Sequence, residues 1–228
     1  MNHYLGKLLH LSDPTLPIGG FNHSGGLETY VQLGIVADAN SAELFVRNML
    51  QHNLAYNDAA FVGLAYAAAD EADLARLLDL DRECGALKAP AEIRQASRKL
   101  GVRLFKIFES QSESPLVEAW GQAIAEGNAE GHHAIVFGLC ARVFEIPLYE
   151  AVYSFCYSAA VNMITNAVKL VPLGQLSGQD ILFRLEPMLA RVAETAIGLE
   201  REQVGVCNIG FDIRCMQHEK LYSRLYMS

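Results

Sequence analysis

No CxxC pair, no dense lysine–arginine run and no H-x-x-x-H pair occurs in this chain of 228 residues. Each absence excludes a class of function. The five cysteines, Cys84, Cys140, Cys156, Cys207 and Cys215, are odd in number and irregularly spaced. They therefore read as buried or free thiols of a reducing compartment and not as a disulfide framework. A nucleic-acid binder carries a basic face or stripe, whereas this chain has a net charge of -8 and a pI near 5.3. The N-terminal MNHYLGKLLHLSDPTLP has too short an apolar run and too little basic flank for a signal peptide, so the expected location is the cytoplasm. No 30–45-residue repeat stands out, which disfavours a solenoid. No linker long enough to divide the chain is visible either.

What is present is apolar. Hydrophobic residues make up 51% of the chain and charged residues 19%. A chain of this length and composition can bury one large core. From Ala151 to Val168 no residue is charged, a length close to a bilayer crossing. Its polar residues, Ser154, Ser158, Asn162, Thr165 and Asn166, fall on one stripe at i, i+4 spacing. A helix at the centre of a bundle, meeting its neighbours through that stripe, is the expected reading.

Helical signals run the length of the chain. A short helix at Tyr4–Leu11 stops at Ser12, Asp13 and Pro14, and a second spans about Gly26 to Leu33. Asn40 with Glu43 is a candidate capping box. Asn57 or Asp58 can cap an alanine-rich helix, and a shorter one follows at about Glu71–Leu80. Pro90–Glu109 reads as one helix or as two broken at Gly101. Ser114 and Pro115 supply an N-cap and first-turn pair. His132–Glu145 and Leu148–Val171 follow, and Ser177 with Asp180 can cap a last helix reaching Gln203. The expected fold is all-α, one domain over residues 1–228, a bundle of about eight to ten helices. Residues 204–228 are expected to order only on docking, because an isolated amphipathic segment that short is marginal in water.

The most unusual segment is the loop LPIGGFNHSGGLETY, Leu16–Tyr30, with Gly19, Gly20, Gly25 and Gly26 before a helix. Such a loop can aim N–H groups at a phosphate. A P-loop needs Lys-Ser/Thr after its last glycine, where Leu27 and Glu28 stand. A dinucleotide fingerprint needs a preceding strand, and none is expected. A nucleophile elbow needs glycine two residues before Ser24, where Asn22 stands. A tight loop packed on the bundle, or a binding surface, remains.

No histidine pair has ligand spacing on a helix. His132 and His133 are adjacent, so their rings point about 100° apart, as at a solvated helix start. Cys207, Cys215 and His218 match no standard zinc pattern. The acidic residues Asp70, Glu71, Asp73, Asp79, Asp81 and Glu83 read as a solvated face with no marked acid–base pair.

Four segments together resemble one family, the urease accessory protein UreF. They are the LPIGGFNHSGGLETY loop, the FEIPLYEA turn, the helix end ITNAVKLVPLGQLSGQ and the tail GFDIRCMQHEKLYSRLYMS. The resemblance spans nearly the whole chain in order. It implies a cytoplasmic, homodimeric all-α chaperone without enzymatic activity of its own. Such a protein bridges the accessory protein UreD (also called UreH) and the GTPase UreG, for GTP-dependent nickel insertion into apo-urease. It implies no stably bound cofactor, with nickel in transit through the complex. By the same resemblance the expected partner-binding residues are Glu28 and Tyr30 after the loop, Gln175, Gly178 and Gln179 in the turn, and His218, Tyr222, Arg224 and Leu225 in the tail. Arg224 is expected to recruit the GTPase and not to act as an inserted arginine, since a finger needs firm positioning. The alternatives are a helical small-molecule enzyme using the Gly19–Gly26 loop, and an interaction module unrelated to metal.

Overall fold

The computed structural model describes residues 3–20, 23–222 and 224–226. Phe21 and Asn22 of the glycine-rich loop, and Ser223, Met227 and Ser228 of the tail, lie outside the described residues, as do Met1 and Asn2. The fold is all-α, with no strand among the described residues.

The chain opens with α1 (Leu5–Leu11), α2 (Leu27–Gln32) and α3 (Ala39–Asn48), the last running on through a π-helical turn, Met49–Leu54. Then come α4 (Asp58–Asp70), α5 (Leu74–Leu87), α6 (Ala91–Phe108) and α7 (Pro115–Ala125). The second half holds α8 (His133–Val143), α9 (Leu148–Leu170), α10 (Gln175–Gly198) and α11 (Ile209–His218). No helix among the described residues is long and apolar enough to cross a membrane.

The core is built round α8, in which every residue from Ala134 to Ala141 is buried. A helix apolar all round belongs in the middle of a bundle. It packs on α4, where a Cβ at Gly138 would lie 2.5 Å from the Val62 carbonyl oxygen, so the two backbones touch. It also packs on α6, which is one unbroken helix. Gly101 does not break α6; a Cβ there would run into the Gly131 carbonyl. The residue is thus a contact and not a hinge.

Helix α9, uncharged from Ala151 to Val168, lies against α10, as a short turn between two helices requires. Its polar stripe has definite partners. Ser158 Oγ donates to the Ser12 carbonyl at 3.3 Å, and Asn166 Nδ2 donates to the His23 carbonyl at 2.9 Å. The stripe therefore tethers the glycine-rich segment to the bundle.

Local signals place most helix starts, and several differ from expectation. α3 is capped by Asp38 and not Asn40: the Ser41 N–H donates to Asp38 Oδ1 at 2.8 Å and Ser41 Oγ accepts from the Asp38 N–H. Glu43 is unavailable for capping, because Arg47 and Arg184 both bind its carboxylate at 2.7 Å. α5 begins after Asp73, which caps it through the Arg76 N–H at 2.9 Å, and it runs on to Leu87. α10 starts at Gln175, ahead of Ser177 and Asp180, and ends at Gly198, with a 3₁₀ turn at Arg201–Gln203.

Two sequence readings are overturned in this region. Asp81 is not on a solvated face; it is fully buried and accepts from the N–H groups of Glu130, Gly131 and His132 at 2.6, 3.1 and 2.8 Å. Nor is His132 solvated: its ring is buried, with Nδ1 3.1 Å from Ser97 Oγ and Nε2 3.1 Å from Glu130 Oε2. Gly85 makes the room, since a Cβ there would lie 2.7 Å from His132 Nε2. A carboxylate that satisfies three successive N–H groups fixes the approach to α8, which no local pattern records.

Candidate functional site

The helix that follows the glycine-rich loop begins in an unusual way. Gly25 and Gly26 have φ of 58° and 80°, the left-handed region that glycine alone enters freely. A Cβ at Gly26 would lie 2.7 Å from Cys215 Sγ and 3.3 Å from the Phe211 ring. So α11, near the end of the chain, rests directly on the loop near its beginning. Thr29 Oγ1 reinforces the contact by donating to the Arg214 carbonyl at 3.0 Å.

Two carboxylates close this junction. Glu28, only 4% exposed, accepts from the Leu225 N–H at 2.8 Å and the Tyr226 N–H at 3.3 Å. Its Oε2 also lies 3.1 Å from Nε2 of His218, which is 1% exposed. The other ring nitrogen, Nδ1, is 2.7 Å from Oε2 of Glu92 on α6. Glu92 Oε1 in turn accepts from Arg224 Nη1 at 2.6 Å. The residues 28, 92, 218 and 224 thus form one hydrogen-bonded cluster. Buried charges persist only when paired in this way.

Beside the cluster lies a cavity of about 550 Å³. The loop (Ile18, Gly20, His23), the start of α4, the end of α5, the polar stripe of α9 and the tail from Gly205 to Asp212 all line it. Among its charged lining residues Lys88 and Asp58 form an ion pair, Nζ to Oδ1 at 2.7 Å. Burial raises the Asp58 carboxyl, but the Lys88 cation outweighs it, so the group stays below its ordinary range. Burial likewise pushes the Cys84 thiol up to about 12 and His133 down to about 4, leaving both neutral at pH 7.

A family model, UreF, matches residues 36–186, more than half of the chain. The urease accessory protein UreF of Actinobacillus pleuropneumoniae serotype 3 (strain JL03) is 50% identical over 224 residues, covering 98% of this chain and 99% of its own. That of Haemophilus influenzae (strain PittEE) is 48% identical over 98% and 95%. That of Lachnoclostridium phytofermentans is 33% identical over the whole of both chains. The chain belongs to the UreF family of urease accessory proteins.

Within this UreF-family chain the expected partner-binding residues separate into three groups and a lone tyrosine. Glu28, His218 and Arg224 converge in the cluster, and the first two are too buried to offer a partner much surface. Tyr222 and Leu225 stand on the outer side of the tail, fully exposed and 67% exposed respectively. Gln175 and Gln179 are exposed at the start of α10, where Gly178 is buried against Val168 and Ile164. None of those three takes part in the hydrogen bonds of the cluster. Tyr30 is half-buried, with its ring 5.1 Å from that of Phe45, and burial raises its phenol.

Nothing in the sequence marks Glu92 or Tyr226. Glu92 is an ordinary first-turn acid of α6, and the buried Tyr226 sits next to exposed Leu225. Cys207 is exposed, Cys215 is buried against Gly26, and both nitrogens of His218 face carboxylates. Among the described residues no three His, Cys, Asp or Glu side chains are arranged to hold a metal ion.

Proposed function

We propose that this chain is a non-catalytic adaptor of urease maturation, which bridges UreD/UreH and the GTPase UreG during GTP-dependent insertion of nickel into apo-urease. It does so as a cytoplasmic homodimer, and nickel is cargo of the assembly and not a resident cofactor. Family membership along nearly the full chain supports the urease role. No P-loop pattern occurs in the sequence, so GTP chemistry belongs to a partner.

The observation that carries the adaptor reading is the cluster round Glu28. It presents Tyr222, Arg224 and Leu225 along one outer edge while tying the backbone beneath them to two core-packed helices. Glu28 and His218 act from below, by positioning, and the exposed side chains make the contact. Arg224 keeps part of its guanidinium exposed while Glu92 holds Nη1, which suits recruitment of an anionic or carbonyl-rich surface. Gln175 and Gln179 form a second contact edge at the start of α10, and Tyr30 supports the first edge through its packing on Phe45.

The test is maturation itself. Apo-urease is co-expressed with its accessory proteins and nickel, with or without this chain, and the nickel content of purified urease is measured. Nickel loading that is complete without the chain sinks the reading. The cavity beside the glycine-rich loop supports a second reading, a small-molecule site. That reading requires a ligand which raises the melting temperature of the isolated chain, an effect that substitution of Gly20 or His23 abolishes.

A further inference from the structure

The C-terminal segment has a second structural consequence, independent of the adaptor reading. It supplies a wall of the 550 Å³ cavity, through Val206, Asn208, Phe211 and Asp212. The other walls belong to the bundle. Helices α4, α6 and α9 carry long rows of buried residues, whereas α11 buries only Cys215 and His218.

The segment is pinned by hydrogen bonds at its two ends, and between them it rests on the glycine-rich loop through Phe211 and Cys215, with Thr29 Oγ1 donating to the Arg214 carbonyl. At the near end the Gly205 N–H donates to the Tyr56 carbonyl at 2.8 Å, and Asn57 Nδ2 donates to the Val206 carbonyl at 3.2 Å. At the far end stands the cluster of Glu28, Glu92, His218 and Arg224. Between them Ile209 and Ile213 are 66% and 46% exposed. A segment with few buried apolar contacts and localised polar pins opens at lower free energy than the core it covers.

We propose that residues 205–226 are a strap that governs access to the cavity, and that the paired carboxylates of Glu28 and Glu92 are its fastener. With the strap seated, Cys84 on the cavity wall and Cys215 on the buried face of α11 are shielded together. With the strap lifted, both thiols meet solvent while the bundle stays folded.

The five free cysteines give the experiment its reporters and its controls. Cys207 is exposed, Cys84 and Cys215 answer to the strap, and Cys140 and Cys156 lie in the core. The full-length protein is treated with N-ethylmaleimide under native conditions, and labelling of each cysteine is followed by peptide mass spectrometry. In the unmodified chain Cys84 and Cys215 are expected to label at a common rate, well ahead of Cys140 and Cys156. In Glu92→Gln, which weakens a charge-assisted bond, that common rate rises about tenfold while the core pair is unchanged. Cys84 labelling only in step with Cys140 in the unmodified chain would overturn the proposal, whatever the variant does. So would Cys215 accelerating in Glu92→Gln while Cys84 does not, since the strap would then lift without opening the cavity.

Discussion

Replacing Glu28 with alanine removes the acceptor of two backbone N–H groups and the partner of one buried imidazole nitrogen. Each buried donor left unsatisfied costs about 1–3 kcal/mol. Three such groups cost several kcal/mol if the tail stays seated, more than a segment burying two side chains of its helix can recover. The tail relieves that cost by leaving, because its N–H groups and His218 then bond to water. Glu28→Ala should therefore unseat residues 205–226 and change the core little, with the melting temperature falling by no more than about 5 °C. Hydrogen exchange reads this directly: amides of α11 and of Leu225 and Tyr226 lose protection, while those of α8 keep it. Trypsin gives a second reading, with faster cleavage at Arg214, Lys220 and Arg224. Glu28→Gln, which keeps one acceptor oxygen, should fall between the two. If the α11 amides of Glu28→Ala exchange as slowly as those of the unmodified chain, the carboxylate does not hold the tail and the positioning role fails.

Three further outcomes follow from the packing. Burial holds His133 at about 4 and lowers His132 and His23 below their usual 6.5. For His133 the unfolded chain then binds more protons between about pH 4 and 6.5, so stability falls as pH drops through that window, by up to about 1.4 kcal/mol per pH unit, and the other two act in the same direction. His133→Gln should flatten the urea midpoint against pH, and an unchanged slope would show that this histidine does not contribute. Gly101→Ala drives a Cβ into the Gly131 carbonyl, a backbone atom that cannot rotate away, and should cost about 1–3 kcal/mol or more by calorimetry. Asp81→Asn leaves an amide facing three N–H donors and should cost about 2–4 kcal/mol in urea unfolding followed by Trp120 fluorescence; a loss under 0.5 kcal/mol, within ordinary surface effects, would contradict the anchoring role.

Much of the helical layout is legible because its signals are local. Ser114 with Pro115, Pro147 before α9, and the polar stripe of α9 all act within a turn or two of where they stand. The α3 start is misread by two residues because Asp38–Ser41 and Asn40–Glu43 satisfy the same spacing, while Glu43 is taken up by Arg47 and by Arg184 of a distant helix. Asp81 and His132 are misread for the same reason: the contact that buries each is with residues about 50 or 35 positions away. The glycine-rich loop is legible as a tight loop packed on the bundle, but not as the seat of α11, since Cys215 reaches Gly26 only in the fold. The cluster itself joins residues 28, 92, 218 and 224, and no spacing rule links positions so far apart.

The adaptor claim is tested most directly by co-purification. The chain is expressed with its UreD/UreH-like and UreG-like partners, both full length and truncated after Gly210, and the proteins that elute together are identified. Retention of both partners by the full-length chain, with loss of UreD/UreH from the truncation, is the predicted result. Failure of the full-length chain to retain either partner would contradict it.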